Sequence, residues 1–291
     1  MFTPRGIIPA MVTPFRADES LNEEALRQLT RFLLAGGVNG LFAVGSQGEF
    51  WALDLDEKRR VIEVVVREAA GRVPVYAGTG ATTTREAVRT TQMAAAAGAD
   101  AVSVITPFFV SPNADELYDY YTDIAKASRV PVLLYNNPSR TGVSLSADLV
   151  ARLARVDNIV GVKDSGGDMT LTGEYIRRCG PDFAVLAGRD TLILSTLLLG
   201  GKGSIAATAN VAPRLVVEIY EAFVAGDLPR ALAAQNRLAP LRIAFEMGSF
   251  PVVIKDALEI MGIAAGPARG PVRSLGDEQR AKLAEIVKAL Q

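Results

Sequence analysis

The sequence predicts a (β/α)8 barrel followed by a C-terminal helical extension. Three observations predict it. Eight short apolar runs, rich in β-branched residues, alternate with segments of helical periodicity. The runs are almost continuously hydrophobic, as parallel strands covered on both faces are. After the eighth run the chain carries helical pattern only.

The runs start near Gly6, Gly40, Val73, Asp100, Pro131, Asn158, Phe183 and Gly203. Helix starts between them carry capping pairs: Ser20 with Glu23, Asp54 with Glu57, Thr83 with Glu86, Asn113 with Glu116. Each pair offers a side-chain acceptor and a carboxylate three residues on, able to satisfy the free amides of a first turn. Gly36-Gly37, Gly71 and Gly98 fit helix stops. Eight β-then-α units point to a closed barrel. An open doubly wound sheet would usually carry a Gly-x-Gly-x-x-Gly turn after its first strand. Here that turn reads Thr13-Pro14-Phe15. Helices are expected over 211–225, 228–246, 251–261 and 277–290, the first completing the barrel. The expected division is a barrel over 1–225 and an extension over 226–291 packed on it, together one domain.

The chain has 291 residues and is 49% hydrophobic, enough for one large core. Lys+Arg number 31 against Asp+Glu 32, and no basic block stands out, so neither nucleic acid nor a membrane is an expected partner. Apolar runs such as 192–199 are too short to span a bilayer. The first residues lack the pattern of a signal peptide, and a cytoplasmic protein is expected. A single cysteine, Cys179, excludes an intrachain disulfide framework. The zero count of histidine decides more. It excludes Ser-His-Asp and Cys-His catalysis and argues against a catalytic zinc. Carbonyl chemistry must then rest on Lys, Tyr, Ser, Thr, Asp, Glu or Arg.

A barrel of this kind builds its site at the C-terminal ends of its strands. There the loops are rich in glycines, hydroxyls and amides. The stretch Asn158-Ile-Val-Gly-Val-Lys163-Asp-Ser-Gly-Gly167 reads as a buried strand ending on a lysine. Burial disfavours an ammonium, so such an amine can become a nucleophile toward carbonyls. The bland alternatives are that Lys163 snorkels to solvent or pairs with Asp164. Of the other lysines, Lys58, Lys126, Lys282 and Lys288 lie on helices with charged neighbours. Lys202 precedes strand eight at the wrong end, and Lys255 sits in the extension. Tyr135 ends the neighbouring strand five, where it is either a core tyrosine with its hydroxyl at the rim or a phenol reaching the same cavity. Arg140 fits a loop salt bridge equally well.

Gly45-Ser-Gln-Gly-Glu49, Tyr135-Asn-Asn-Pro-Ser-Arg-Thr-Gly142 and Gly161-Val-Lys-Asp164 resemble the signatures of the dihydrodipicolinate synthase / N-acetylneuraminate lyase family. Gly200-Gly-Lys-Gly-Ser-Ile and Ala209-Asn-Val-Ala-Pro213 match it around strand eight, and the resemblance spans the chain. It implies a metal-free, cofactor-free class I lyase or synthase acting on pyruvate or a 2-keto acid with a small aldehyde or acid partner. By that likeness Lys163 forms the Schiff base, Tyr135 is the general acid/base and Ser46 sits in its proton relay. Gly45, Gln47, Asn137, Gly188 and Ile205 join in holding substrate, and Arg140 takes the partner's carboxylate. A homotetramer built as a dimer of dimers is implied as well.

Three departures bear on the substrate. Ser46 and Gln47 stand where the synthases carry two threonines. Phe109 stands where they carry a tyrosine, supplied across a subunit interface, and Asn137 stands where many relatives are apolar. A dihydrodipicolinate synthase-type condensation is the leading expectation. The alternatives are an aldolase or dehydratase of 2-keto-3-deoxy sugar acids or 4-hydroxy-2-oxo acids, and a cyclic imino acid deaminase. From a different class come a non-catalytic barrel that binds a small acid, and a phosphate-binding barrel resting on the glycines near Gly188 with only Arg189 as a basic partner.

Overall fold

The eight apolar runs form eight parallel strands: β1 (Gly6–Pro9), β2 (Leu41–Ala43), β3 (Val75–Gly78), β4 (Ala101–Ile105), β5 (Val132–Asn136), β6 (Ile159–Asp164), β7 (Ala184–Ala187) and β8 (Gly203–Ala206). They are seen in a computed structural model that describes residues 2–290. From β2 to β8 each strand pairs with the next, and β8 pairs back to β1. The remaining seam, β1 to β2, is thin. It holds one bridge between Ala10 and Phe42, with Asn39 N donating to Ile7 O (2.8 Å) and Met11 N to Phe42 O (2.9 Å). Side chains of Ile8, Phe42, Tyr76, Leu133, Leu186 and Ile205 fill the interior, so the barrel is a packed core and not a pore.

Around it run α1 (Glu23–Ala35), α2 (Leu55–Ala69), α3 (Thr84–Ala96), α4 (Ala114–Ala127), the short α5 (Pro138–Thr141), α6 (Ala147–Leu153), α7 (Met169–Cys179), α8 (Ile193–Leu198) and α9 (Pro213–Val224). Two of the four capping pairs are full reciprocal boxes, Asp54/Glu57 and Asn113/Glu116. Thr83 accepts from Glu86 N in the ordinary one-way cap. Ser20 does not cap α1. Residues 15 to 21 form a turn closed by a bridge between Phe15 and Leu21, which leaves Asn22 to accept from Ala25 N (3.2 Å). Glu23 turns instead to the Arg60 guanidinium.

The extension is α10 (Leu228–Ile243), α11 (Val252–Ile260) and α12 (Asp277–Lys288). α10 lies on α9, and α12 packs on both α10 and α11. Among the described residues no helix is long and apolar enough to cross a membrane. The barrel with a helical C-terminal extension is thus the architecture the sequence predicts.

The pairing of β5 with β6 sets the site. Leu133 lies beside Gly161, Tyr135 beside Lys163, and Asn136 beside Asp164. Side chains alternate along a strand. Leu133 points into the barrel, so Tyr135 and Lys163 point inward one layer higher. Asn136 and Asp164 face the helices. There Asn136 Nδ2 donates to Asp164 Oδ1 (2.9 Å), and Thr172 Oγ1 of α7 donates to Asp164 Oδ2 (2.7 Å).

Candidate active site

Lys163 is 4% exposed, and its Nζ lies 4.1 Å from the centroid of the Tyr135 ring and 5.3 Å from that of Phe42. It does not snorkel. Nor does it pair with Asp164, whose carboxylate is taken by Asn136, Thr172 and the amide of Gly166. The amine stands at the top of the barrel core, facing a cavity of about 380 Å³.

The Tyr135 hydroxyl accepts a hydrogen bond from Asn137 Nδ2 (2.9 Å). Burial pushes the phenol up. The charge of Lys163, with hydrogen bonds from Ser165, Ser46 and Lys163 itself, outweighs this, and the net shift is below the usual tyrosine value. A phenol that releases its proton more readily, set between an amine and a serine hydroxyl, is suited to pass a proton between them. Ser46→Ala removes one of the bonds that stabilise the phenolate. The phenol then rises, and a rate limb lost on phenol ionisation moves to higher pH. The expected result is a kcat lower by about 10- to 100-fold with that upward move of the alkaline limb. A pH–rate profile of wild type and variant checks it.

Of the residues expected at the site, Lys163, Tyr135, Ser46, Gln47, Asn137, Arg140, Gly188 and Ile205 all line this one cavity. Gly45 does not. It lies under the Phe42 ring, where a Cβ would come within 2.5 Å of Cε1, so its smallness serves packing. Gln47 is buried, and its Nε2 donates to Pro251 O (3.3 Å) just before α11. Gly188 allows the β6 and β7 loops to meet, since a Cβ there would sit 2.1 Å from Ser165 Oγ. Among the described residues Arg140 makes no loop salt bridge; its guanidinium lies 5.1 Å from the Phe250 ring centroid. Phe109 is 99% exposed at φ 73° and does not line the cavity.

The structure adds residues that sequence reasoning missed. Ser165 is two positions past Lys163 and was readable from that loop. Asp190 follows Gly188 and is buried. Burial pushes its carboxyl up, against a hydrogen bond from Thr208 N (2.7 Å) and the charges of Arg242 and Lys163. Arg242, Phe245, Glu246 and Phe250 reach the cavity from the extension. Nothing local in the sequence marks them, because only tertiary packing brings that segment to the mouth.

Two further lysines depart from expectation. Lys58 on α2 is half-buried, and burial lowers its ammonium against the pull of Glu86 and Asp54. Lys255 on α11 is more buried than Lys163, at 1% exposed. Its Nζ lies 2.5 Å from Glu49 Oε1 and donates to Pro267 O (2.8 Å). Glu49 closes the loop that carries Ser46, at φ 57°, and its other oxygen accepts from Arg269 N (2.9 Å). The Ser46 loop is therefore tied to the extension twice, through Gln47 and through Glu49. Among the described residues no three His, Cys, Asp or Glu side chains gather into a metal-binding group.

The sequence profile of the dihydrodipicolinate synthetase family matches residues 3–290. A 4-hydroxy-tetrahydrodipicolinate synthase of Methanothrix thermoacetophila is 42% identical over 284 residues, covering 97% of this chain and 96% of that protein. Among solved structures, dihydrodipicolinate synthase from Bacillus anthracis superposes with a TM-score of 0.96 at 33% identity, covering 99% of both chains. The chloride-inhibited dihydrodipicolinate synthase of Acinetobacter baumannii, complexed with pyruvate, gives 0.96 at 37% identity over 98% of both chains. With its barrel, its buried lysine–tyrosine pair and a match along almost its whole length, the chain belongs to the dihydrodipicolinate synthetase family.

Proposed function

We propose that the protein is a Schiff-base lyase or synthase that condenses pyruvate, or a related 2-keto acid, with an aldehyde in the manner of a 4-hydroxy-tetrahydrodipicolinate synthase. The observation that carries this reading is the inward pairing of Lys163 with Tyr135 beneath the cavity. Lys163 Nζ attacks the keto carbon and water leaves. The protonated imine draws electrons from the adjacent methyl carbon, which loses a proton and becomes an enamine carbon. That carbon bonds to the aldehyde carbon, whose oxygen takes a proton from the Tyr135 phenol. Hydrolysis of the imine restores the amine. Ser46 relays protons to Tyr135, Gln47, Gly188 and Ile205 frame the keto acid, and Arg140 with Asn137 meets the partner. Gly45 supports the loop from below.

Phe109 favours a second reading. It has no proton to relay, which suits an aldolase or dehydratase of 2-keto-3-deoxy acids that relies on Tyr135 and Ser46 alone. Both readings share the imine. Incubation with pyruvate and borohydride followed by peptide mass mapping is expected to give one adduct, on Lys163. Failure of pyruvate and larger 2-keto acids alike to label the folded protein would leave a small-acid-binding barrel instead.

The protein is proposed to act in the cytoplasm, with residues 1–225 and 226–291 folding as one unit around the Glu49–Lys255 pair. It is also proposed to form a homotetramer, a dimer of dimers. Trp51, Phe109 and Val110 are large apolar side chains left exposed on one chain, and a subunit contact would cover them. Light scattering is expected to give the mass of four chains, and a monomer at micromolar concentration would rule the assembly out.

A further inference from the structure

A second cavity, of about 10 Å³, lies beside the Ser46 loop, between the upper ends of β2, β3 and β4. It shares Ser46 and Tyr135 with the first, and Phe42, Phe50 and Ile105 make its wall largely apolar. One polar side chain breaks that wall. Ser103 of β4 is 2% exposed, and among the described residues its hydroxyl has no hydrogen-bond partner. The sheet sets its direction. Ser103 lies beside Leu133 in the register of β4 against β5, and Leu133 points into the barrel. Residues side by side in register share a face. Ser103 therefore points inward as well, one layer below Tyr135, whose own neighbour on β4 is Ile105.

A buried hydroxyl without a partner costs free energy that an alanine in the same place would not. A space of about 10 Å³ is the least that takes one water, and a buried water needs two or more polar partners. Ser46 and Ser103 supply two. The main chain supplies more, because Gly78 and Gly80 line the cavity with backbone alone. Neither can carry a side chain: a Cβ at Gly78 would collide with Val44 O, and one at Gly80 would come within 2.6 Å of Ile105 N. The Ser46 hydroxyl has one proton, and it stabilises the Tyr135 phenolate by donating it. Its oxygen then offers only lone pairs to the other side, so a donor has to meet it there. Ser103 carries the remaining hydroxyl on the cavity.

We propose that one water held in this cavity links Ser103 to Ser46, and that Ser103 is thereby a positioning residue for the proton relay. The Ser103 hydroxyl donates to the water, the water donates to Ser46 Oγ, and Ser46 is left to donate to the Tyr135 oxygen. The proposal rests on the Schiff-base reading above. Every donor in the line then points toward Tyr135. When the phenolate takes a proton from the methyl carbon of the pyruvate imine, the C–H electron pair becomes the enamine double bond. The new phenol donates to Ser46 Oγ, and Ser46 turns to donate to the water. A water both donates and accepts, so it serves either state, and Ser103 holds it in place for both.

The test needs only pyruvate. Borohydride trapping on Lys163 is run first. If it fails, the Schiff-base reading fails and takes this proposal with it. With the adduct present, exchange of the pyruvate methyl protons for deuterium is followed by NMR in heavy water. Ser103→Ala is expected to label as wild type does, to keep the KM for pyruvate, and to slow exchange about 10-fold. The limb of its pH–rate profile set by Tyr135 ionisation is expected at higher pH, because a Ser46 hydroxyl left undirected stabilises the phenolate less. Since Ser103 acts only through Ser46, the double variant Ser46→Ala with Ser103→Ala is expected to be no slower than Ser46→Ala alone. A crystal structure is expected to show an ordered water within hydrogen-bond reach of both serine hydroxyls. Exchange at the wild-type rate in Ser103→Ala overturns the proposal, and so does loss of its labelling by pyruvate. A double variant about 10-fold slower than Ser46→Ala overturns it too, since effects that simply add belong to packing. No water between the two serines in the crystal has the same meaning.

Discussion

Lys163→Ala is expected to lower kcat by on the order of 10⁴-fold or more and to abolish the borohydride-trapped pyruvate adduct. Access decides which amine can react. An imine needs an amine, and the chain has seven lysines. Lys255, the only other one below 9% exposure among the described residues, is held by Glu49 and Pro267 O. Lys202 lies at the N-terminal end of β8, opposite the cavity. Neither lines the cavity, and Lys163 does. Lys163→Arg keeps a cation but not a nucleophile, since a guanidinium does not give up its proton in proteins. Both variants should therefore fail alike, which separates covalent chemistry from simple electrostatic holding. The side chain faces an open cavity, so its loss costs little packing, and circular dichroism should show a folded protein. An adduct elsewhere, or turnover retained in Lys163→Ala, would sink the assignment.

Lys255→Met is expected to destabilise the protein by about 3–5 kcal/mol, because it leaves the Glu49 carboxylate buried without its cation. At this chain length that is a fall in Tm of roughly 6–20 °C. Arg269 N still donates to Glu49 Oε2, which keeps part of the carboxylate satisfied. Glu49→Gln combined with Lys255→Met removes both charges and is expected to recover much of the loss. A double-mutant cycle from urea unfolding measures the coupling, expected at about 1–3 kcal/mol. Additive single effects would mean that the 2.5 Å contact carries no net energy. The loss should reach the site as well as the fold, since Glu49 ends the loop that presents Ser46.

The barrel was legible because its signals are local. Near-continuous apolar runs, capping boxes at Asp54 and Asn113, and glycine stops act over a few residues. Lys163 was legible for a similar reason: strand position fixes which end of the barrel it reaches, while the register of β5 against β6 adds that it points inward with Tyr135. The cap at Ser20 was misplaced because the bridge between Phe15 and Leu21 lies across the turn, and propensity does not report it. Arg242 and Phe250 were invisible on other grounds. Each sits in a helical or turn segment with nothing to distinguish it, and its role exists only once α10 and α11 have folded back over the barrel. Lys255 and Glu49 are 206 positions apart, and no pattern in either neighbourhood states that they meet.

Strands β5 and β6 carry two duties on alternate residues, and this makes the stretch beyond the register shift at Leu133 and Gly161 intolerant of a change in length. A deletion or insertion of one residue slides everything beyond it to the opposite face. In β6 that would turn Asp164 into the barrel and Lys163 out toward α7, placing a carboxylate where the amine belongs. In β5 it would exchange Tyr135 for Asn136 and break the bonds that tie Asn136 to Asp164 and to Leu145 N. Point changes can be absorbed here one residue at a time, but a single-codon loss would reverse the charge of the site and unlock its outer wall together. A change in length is therefore expected to be tolerated only outside these strands, where it leaves Lys163 and Tyr135 in phase.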